Sequence, residues 1–290
     1  MKYTENTKAT QSGMTLIELS VVLLVMVGLA GVAVPYVAGM ADKAHDSTTG
    51  SSIAQLNQTI AGFRGNHNAL PEKLETLVDT SGAMIPLISD TNYASGGVGL
   101  FVSHALTAEE ALSLRKAGMG TVLQNVVPGS VANGNRTFGS TSTKTEGPVS
   151  LNVETGVKVA QVSTTTIWDG MGGYVSAHLA YALGGNSASY DTTCYNYIGM
   201  GIGDGNEMVG TAMQSAPVLF VPNGDFNPEK AYARYIAIFK IQKSVATASG
   251  CPDQVQPATF LGAVADMDFG ALVGSAASQQ WATSSKRQAN

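Results

Sequence analysis

The chain has 290 residues, of which 44% are hydrophobic and only 13% charged, and its formal net charge is −5. The charged share is about half of the ~25% usual in soluble domains; Ser, Thr, Asn, Gln and Gly are abundant instead, as on an extracytoplasmic surface. No dense Lys/Arg run occurs, so bulk electrostatics give no support to a nucleic-acid partner, which is held by clustered phosphate-neutralising cations.

A short polar leader, MKYTENTKATQSG, occupies residues 1–13. Gly13-Met14-Thr15-Leu16-Ile17-Glu18-Leu19 then opens an apolar stretch that continues to Val34. From Leu16 to Met40 the only acidic or basic residue is Glu18. As a helix those 25 residues reach about 37 Å, more than the about 30 Å of a bilayer core. A secretory signal peptide is one alternative, with Ala33, Ala38 or Gly39 near a cleavage point. Its apolar core would be shorter and would lack a carboxylate near its start. A plain signal anchor is another alternative, and it gains nothing from a carboxylate that costs a few kcal/mol at the edge of an apolar helix.

Glu18 decides between these readings. The segment resembles the class III signal of type IV prepilins and type II secretion pseudopilins. Thr15-Leu16-Ile17-Glu18-Leu19 is typical wording for that family, and the likeness covers about residues 8–40. The family's first mature residue is usually Phe, where this chain has Met14; a basic residue often precedes the glycine, where this chain has Ser12. The resemblance implies cleavage between Gly13 and Met14 by a prepilin peptidase, which also N-methylates Met14. It implies storage in the inner membrane, followed by assembly into an extracellular or periplasmic filament on an inner-membrane platform. The partners are then further copies of the chain and other pilins. In the filament the new α-amine can meet Glu18 of a neighbour, a pairing that fixes register between packed helices. Pro35 stands where a proline removes one helical hydrogen bond and kinks the helix. The mature chain would be large for a principal pilin, which leans toward a specialised subunit.

After Met40 the composition turns polar, and Ser47–Ser52 is a poor helix former that invites a break. Helical periodicity returns at Ile53, Leu56, Ile60 and Phe63, one apolar face with Gln55, Asn57 and Gln58 off it. Gly62, Gly65 and Asn66 mark its end. Leu70–Leu77, with Pro71 in the first turn and leucines at 70, 74 and 77, predicts a short helix. Thr107-Ala108-Glu109-Glu110 has capping-box spacing and opens a helix toward Gly118. Residues 130–148 read as a polar loop. Val149, Leu151 and Val153, then Val157 and Val159 across Thr155-Gly156, predict a hairpin. Residues 174–183 fit helix or strand. Ala216–Val221, Ala231–Ile241 and Thr259–Val264 predict strands.

The predicted fold class is α+β: a long N-terminal α-helix, kinked near Pro35, packed on an antiparallel β-sheet head. The predicted organisation is a leader over 1–13, a membrane and assembly helix over 14–66, and a head over 67–290. Within the head, about 67–130 is helical and about 148–290 strand-rich. Cys194 and Cys251 are the two cysteines; in an exported chain one bridge between them is the simple reading, and two buried thiols that never meet are the alternative. The four histidines, His45, His67, His104 and His178, lie in no metal-ligand spacing, and no nucleophile elbow or phosphate loop appears. Met200–Gly205 is glycine-rich but reads as a turn. Asn223, Asp225, Asn227 and Glu229 alternate oxygen side chains that could wrap Ca²⁺, against the plainer reading of a solvated Asx turn. Asp204 with Glu207 is a second acidic candidate. The functional expectation is a structural filament subunit for adhesion, motility, secretion or uptake, with no enzymatic activity and no cofactor besides that calcium candidate. The alternative is a membrane-anchored extracytoplasmic enzyme or ligand-binding protein.

Overall fold

The computed structural model describes residues 16–84, 101–125, 131–133, 136–138, 144–145, 148–162, 179–180, 182–184, 189–218, 234–243, 250–267 and 271–273. Within these, the side chains of 32–47, 125, 131–145, 266–267 and 271–273 lie outside the description. The chain has mixed α/β content with a mostly antiparallel sheet. It divides into two compact units, residues 1–45 and 46–290. Helix α1 (Leu16–His67) contributes to both.

The periodic part of α1 falls in the second unit. Ile53, Leu56, Ile60 and Phe63 are all buried there in one cluster with sheet residues such as Ile198, Ala237 and Phe239. At roughly 1.5–3 kcal/mol for each large side chain, this face outweighs the weak helix propensity before it. The break expected at 47–52 accordingly does not occur. Ser51 Oγ donates to Thr48 O (3.0 Å), so the hydroxyl is satisfied within the helix instead of competing with it. Beyond His67 the chain leaves the helix through Asn68, at φ 52°, whose N–H donates to Arg64 O (2.8 Å). Asparagine tolerates this left-handed closure better than most residues.

The helix expected over 70–77 is instead strand β1 (Leu74–Asp79), all six of whose residues are buried. Lys73 and Leu77 hold φ values of 58° and 60°, which no α-helix accepts. A left-handed residue costs about 1–2 kcal/mol, a loss comparable to what burying the Leu77 side chain returns. Next come β2 (Phe101–Ala105), α2 (Ala108–Lys116) and β3 (Thr121–Asn125). Helix α2 begins as predicted: Thr107 and Glu110 form a reciprocal capping box. Just beyond it Gly118, at φ +91°, packs so closely on Ala69 that a Cβ would lie 2.4 Å from the Ala69 methyl.

Residues read as a loop include three short strands, β4 (Val131–Asn133), β5 (Arg136–Phe138) and β6 (Lys144–Thr145), paired in that order as a separate sheet. In β4 and β5, Asn133 pairs with Arg136. The expected hairpin over 149–159 also resolves differently. Strands β7 (Val149–Asn152) and β8 (Lys158–Val162) both form, and Gly156 turns the chain at φ +90°. Yet β7 pairs with β3, whereas β8 pairs with β2 and β9. The turn was legible; the partners lie far away in sequence.

Strands β9 (Tyr195–Gly201), β10 (Ile236–Gln242), β11 (Thr259–Met267) and β12 (Ala271–Val273) complete a nine-stranded sheet. Its main path runs β12-β11-β10-β9-β1-β3-β7, with β2 and β8 attached beside β9. The β1–β3 pair is parallel and the other pairs are antiparallel. The strands expected over 231–241 and 259–264 are thus β10 and β11. Of the one expected over 216–221, Val218 makes an isolated antiparallel bridge to Arg234. Both faces of the central strands are covered. α1 and α2 lie over one; over the other Phe101, Tyr197 and Ile238 cluster with Leu179 and Ala182. Residues 179–180 and 182–183 are helical, which answers the ambiguity over 174–183 for those positions.

Candidate functional site

The predicted processing site, Gly13 and Met14, lies outside the described residues. Glu18 sits in the first turn of α1, where the positive end of the helix dipole favours a carboxylate. It is exposed, and so is every residue from 16 to 31. Eleven large apolar side chains of this segment stand on the surface, with Leu16 85% and Leu24 76% exposed. Covering them would contribute on the order of 10–20 kcal/mol, as much as the whole folding stability of an ordinary domain. Exposed apolar surface on this scale is uncommon on soluble monomers, where it accompanies protein or membrane interaction sites and aggregation liabilities alike. Ser20, its polar exception beside Glu18, donates its hydroxyl to Ile17 O (2.9 Å) and so presents little polarity. Among the described residues no helix is long and apolar enough to cross a membrane. The stretch with described side chains, residues 16–31, is shorter than the about 20 residues that a span takes. Pro35 belongs to α1, but its side chain and the predicted kink lie outside the description.

In the head, Cys194 and Cys251 are bonded to each other, 57 residues apart in sequence. The bridge joins the start of β9 to the segment leading into β11. Five hydrogen bonds hold that same segment. Gln242 Nε2 donates to Pro252 O (3.3 Å) and Gln256 N to Gln242 Oε1 (2.6 Å). Ser113 Oγ donates to Gln256 O (2.7 Å), Ala258 N to Ser113 O (2.8 Å) and Lys116 Nζ to Val255 O (2.9 Å). The segment is thereby fastened to β9, β10 and α2 together.

Two ionic clusters escaped the sequence reading. Glu110 is fully buried, and its carboxylate accepts from three elements. Oε2 takes the His104 Nε2 proton (2.6 Å) from β2 and the Thr107 N–H (2.8 Å). Oε1 takes the Asn196 amide (2.6 Å) from β9. Burial by itself raises this carboxyl's pKa, but the hydrogen bonds from His104, Thr107 and Asn196 and the charge on His104 hold it below the ordinary value of 4.5. The capping-box spacing pointed to Glu110 as a cap, and nothing local pointed to Asn196. In the second cluster Asp204 pairs with Arg234: Nη2 to Oδ2 is 2.6 Å and Nη1 to Oδ1 is 3.4 Å. Arg234 Nη1 also donates to Ala216 O (2.6 Å), and Asp204 Oδ1 accepts from Ala216 N (2.8 Å).

That pairing corrects the reading of Asp204 and Glu207 as a cation site. Asp204 is engaged by Arg234, while Glu207 Oε2 accepts the Glu72 N–H (3.1 Å). Asn223, Asp225, Asn227 and Glu229 lie outside the described residues, as do His178 and the side chain of His45. His67 stacks on Phe63 with ring centroids 4.1 Å apart. Among the described residues no group of three His, Cys, Asp or Glu side chains is placed to hold a metal ion. No family model, curated protein or solved structure matches this chain.

Proposed function

We propose that the chain is a structural subunit of a type IV pilus or pseudopilus. In this reading it is stored in the inner membrane, cut between Gly13 and Met14, methylated on Met14, and polymerised through its N-terminal helix. The carrying observation is the exposed apolar surface of residues 16–31, broken only by Glu18 and Ser20 and opened by the Gly13–Leu19 motif. A helix satisfies all of its own backbone groups, so such a surface suits lipid before assembly and neighbouring helices after it. Small residues at Gly28, Ala30 and Gly31 permit close helix approach. The sheet covered by the second half of α1 supports a pilin-like head. The head's ionic clusters join structural elements to one another, which supports a scaffold role over catalysis.

Two substitutions test this in the host cell. Gly13→Ala leaves the chain at precursor length in the membrane and abolishes filaments. Glu18→Ala still inserts but assembles poorly, because the neighbour's α-amine then has no carboxylate to meet. A Gly13→Ala chain of unchanged mature length would end the reading.

A further inference from the structure

A continuous helix needs neither an end signal nor a start signal in its middle, yet the sequence of α1 carries both. Gly50 suits a helix end, because glycine alone takes the left-handed conformation of the first residue beyond that end without steric cost. Two positions on, Ser52-Ile53-Ala54-Gln55 has capping-box spacing and stands directly before the rest of the apolar stripe. The same kind of spacing at Thr107 and Glu110 does open a helix, with both reciprocal bonds formed. Around these residues Ser47, Thr48, Thr49 and Ser51 rank low as helix formers.

Burial does little to hold this stretch. The contacts that fix α1 on the sheet begin at Ile53 and continue through Leu56, Ile60 and Phe63. Among the described side chains of α1 before Ile53, Thr49 alone is buried. Parting the helix at 50–52 therefore uncovers no large apolar side chain. In the continuous helix the N–H groups of Ser52, Ile53, Ala54 and Gln55 reach the carbonyls of residues 48–51. With Ser52 as cap, its hydroxyl accepts from the Gln55 N–H and the Gln55 side chain accepts from the Ser52 N–H. Only the Ile53 and Ala54 N–H groups then turn to water, which takes the place of their helical partners at small net cost. The joint lies close to the boundary between the two compact units, residues 1–45 and 46–290.

We infer that α1 carries a built-in break at 50–52: a minority conformation, in exchange with the continuous helix, in which Gly50 ends one helix and Ser52 starts the next. It gives the apolar segment and the head independent orientations while the buried stripe stays on the sheet. The inference is independent of the filament reading above.

Hydrogen exchange of the full chain in detergent micelles, read residue by residue, tests it in the parent, Ser52→Val and Gly50→Ala. Valine matches serine in helix propensity but has no capping oxygen. Alanine strengthens the helix and disfavours the left-handed turn. In the parent, the Ile53 and Ala54 amides are at least tenfold less protected than those of residues 58–61. Ser52→Val raises their protection about fivefold, the share of one cap, and Gly50→Ala raises it at least tenfold. The Tm of the head stays parental in both variants. Equal protection of Ile53, Ala54 and residues 58–61 in the parent overturns the inference. So does parental exchange in Ser52→Val, since weak propensity without a capped break would then explain the exchange. A lowered Tm in either variant overturns it as well, because the stretch would then belong to the packing of the head.

Discussion

Reduction of the Cys194–Cys251 bridge, or its replacement by Cys194→Ser with Cys251→Ser, lowers the stability of the head by about 4 kcal/mol on the chain-entropy account of a closed loop of this length. For a unit of this size that corresponds to a fall in Tm of roughly 10 °C. The loss starts in the segment around residues 250–258. Its other ties include hydrogen bonds to Gln242, Ser113 and Lys116, each of which contributes only about 1 kcal/mol net, and the burial of Val255 and Ala258. Thermal melts with and without reductant, with thiol alkylation to verify that both cysteines are free, measure this directly. An unchanged Tm after full reduction would show that the hydrogen bonds suffice without the bridge.

Glu110→Ala produces the second large effect, a loss of about 3 kcal/mol. Three donors, on β2, at the start of α2 and on β9, lose their acceptor in one step, and removing one partner of a buried ionic cluster is expensive. The same group predicts an acid limb. The folded-state pKa of Glu110 is lowered, so its contribution is fully present above the unfolded value. It disappears as pH falls below about 4.5 and through the folded value. Denaturation curves taken from pH 7 downward should show a stability loss that Glu110→Gln reduces, since an amide does not titrate there. Equal acid limbs in parent and variant would remove Glu110 from the account. His104→Ala should be milder than Glu110→Ala, because the Thr107 and Asn196 donors keep their acceptor.

These clusters show where the sequence was legible. The buried stripe of α1 could be read from Ile53, Leu56, Ile60 and Phe63 because a helix writes its buried face at a 3.6-residue period. The start of α2 could be read from Thr107 and Glu110 because a capping box is closed within four residues. Strands β10 and β11 were visible as β-branched and aromatic runs. The disulfide needed only an export inference and two cysteines. What stayed hidden depends on distant partners. β1 was masked by leucines at helical spacing and revealed by the left-handed Lys73 and Leu77, a tertiary choice over local propensity. The Thr155-Gly156 turn was correct, yet β7 and β8 separate because β3 and β9 pair with them more favourably than they pair with each other. Asn196 reaches Glu110 across 86 residues of sequence, and Asp204 reaches Arg234 across 30, distances at which no spacing rule operates. Asn57 was read correctly as lying off the apolar stripe.

The N-terminal segment is the reverse case, since its meaning lies in a few contiguous residues and in a surface that stays uncovered in the single chain. The account stands or falls with the chemistry at Gly13. Mass spectrometry of the N-terminus of the chain recovered from cell membranes or from sheared filaments tests it most directly. The account predicts a chain that begins at Met14 with a methylated α-amine. An N-terminus still at Met1, or one created beyond the apolar stretch near Ala38, would contradict it.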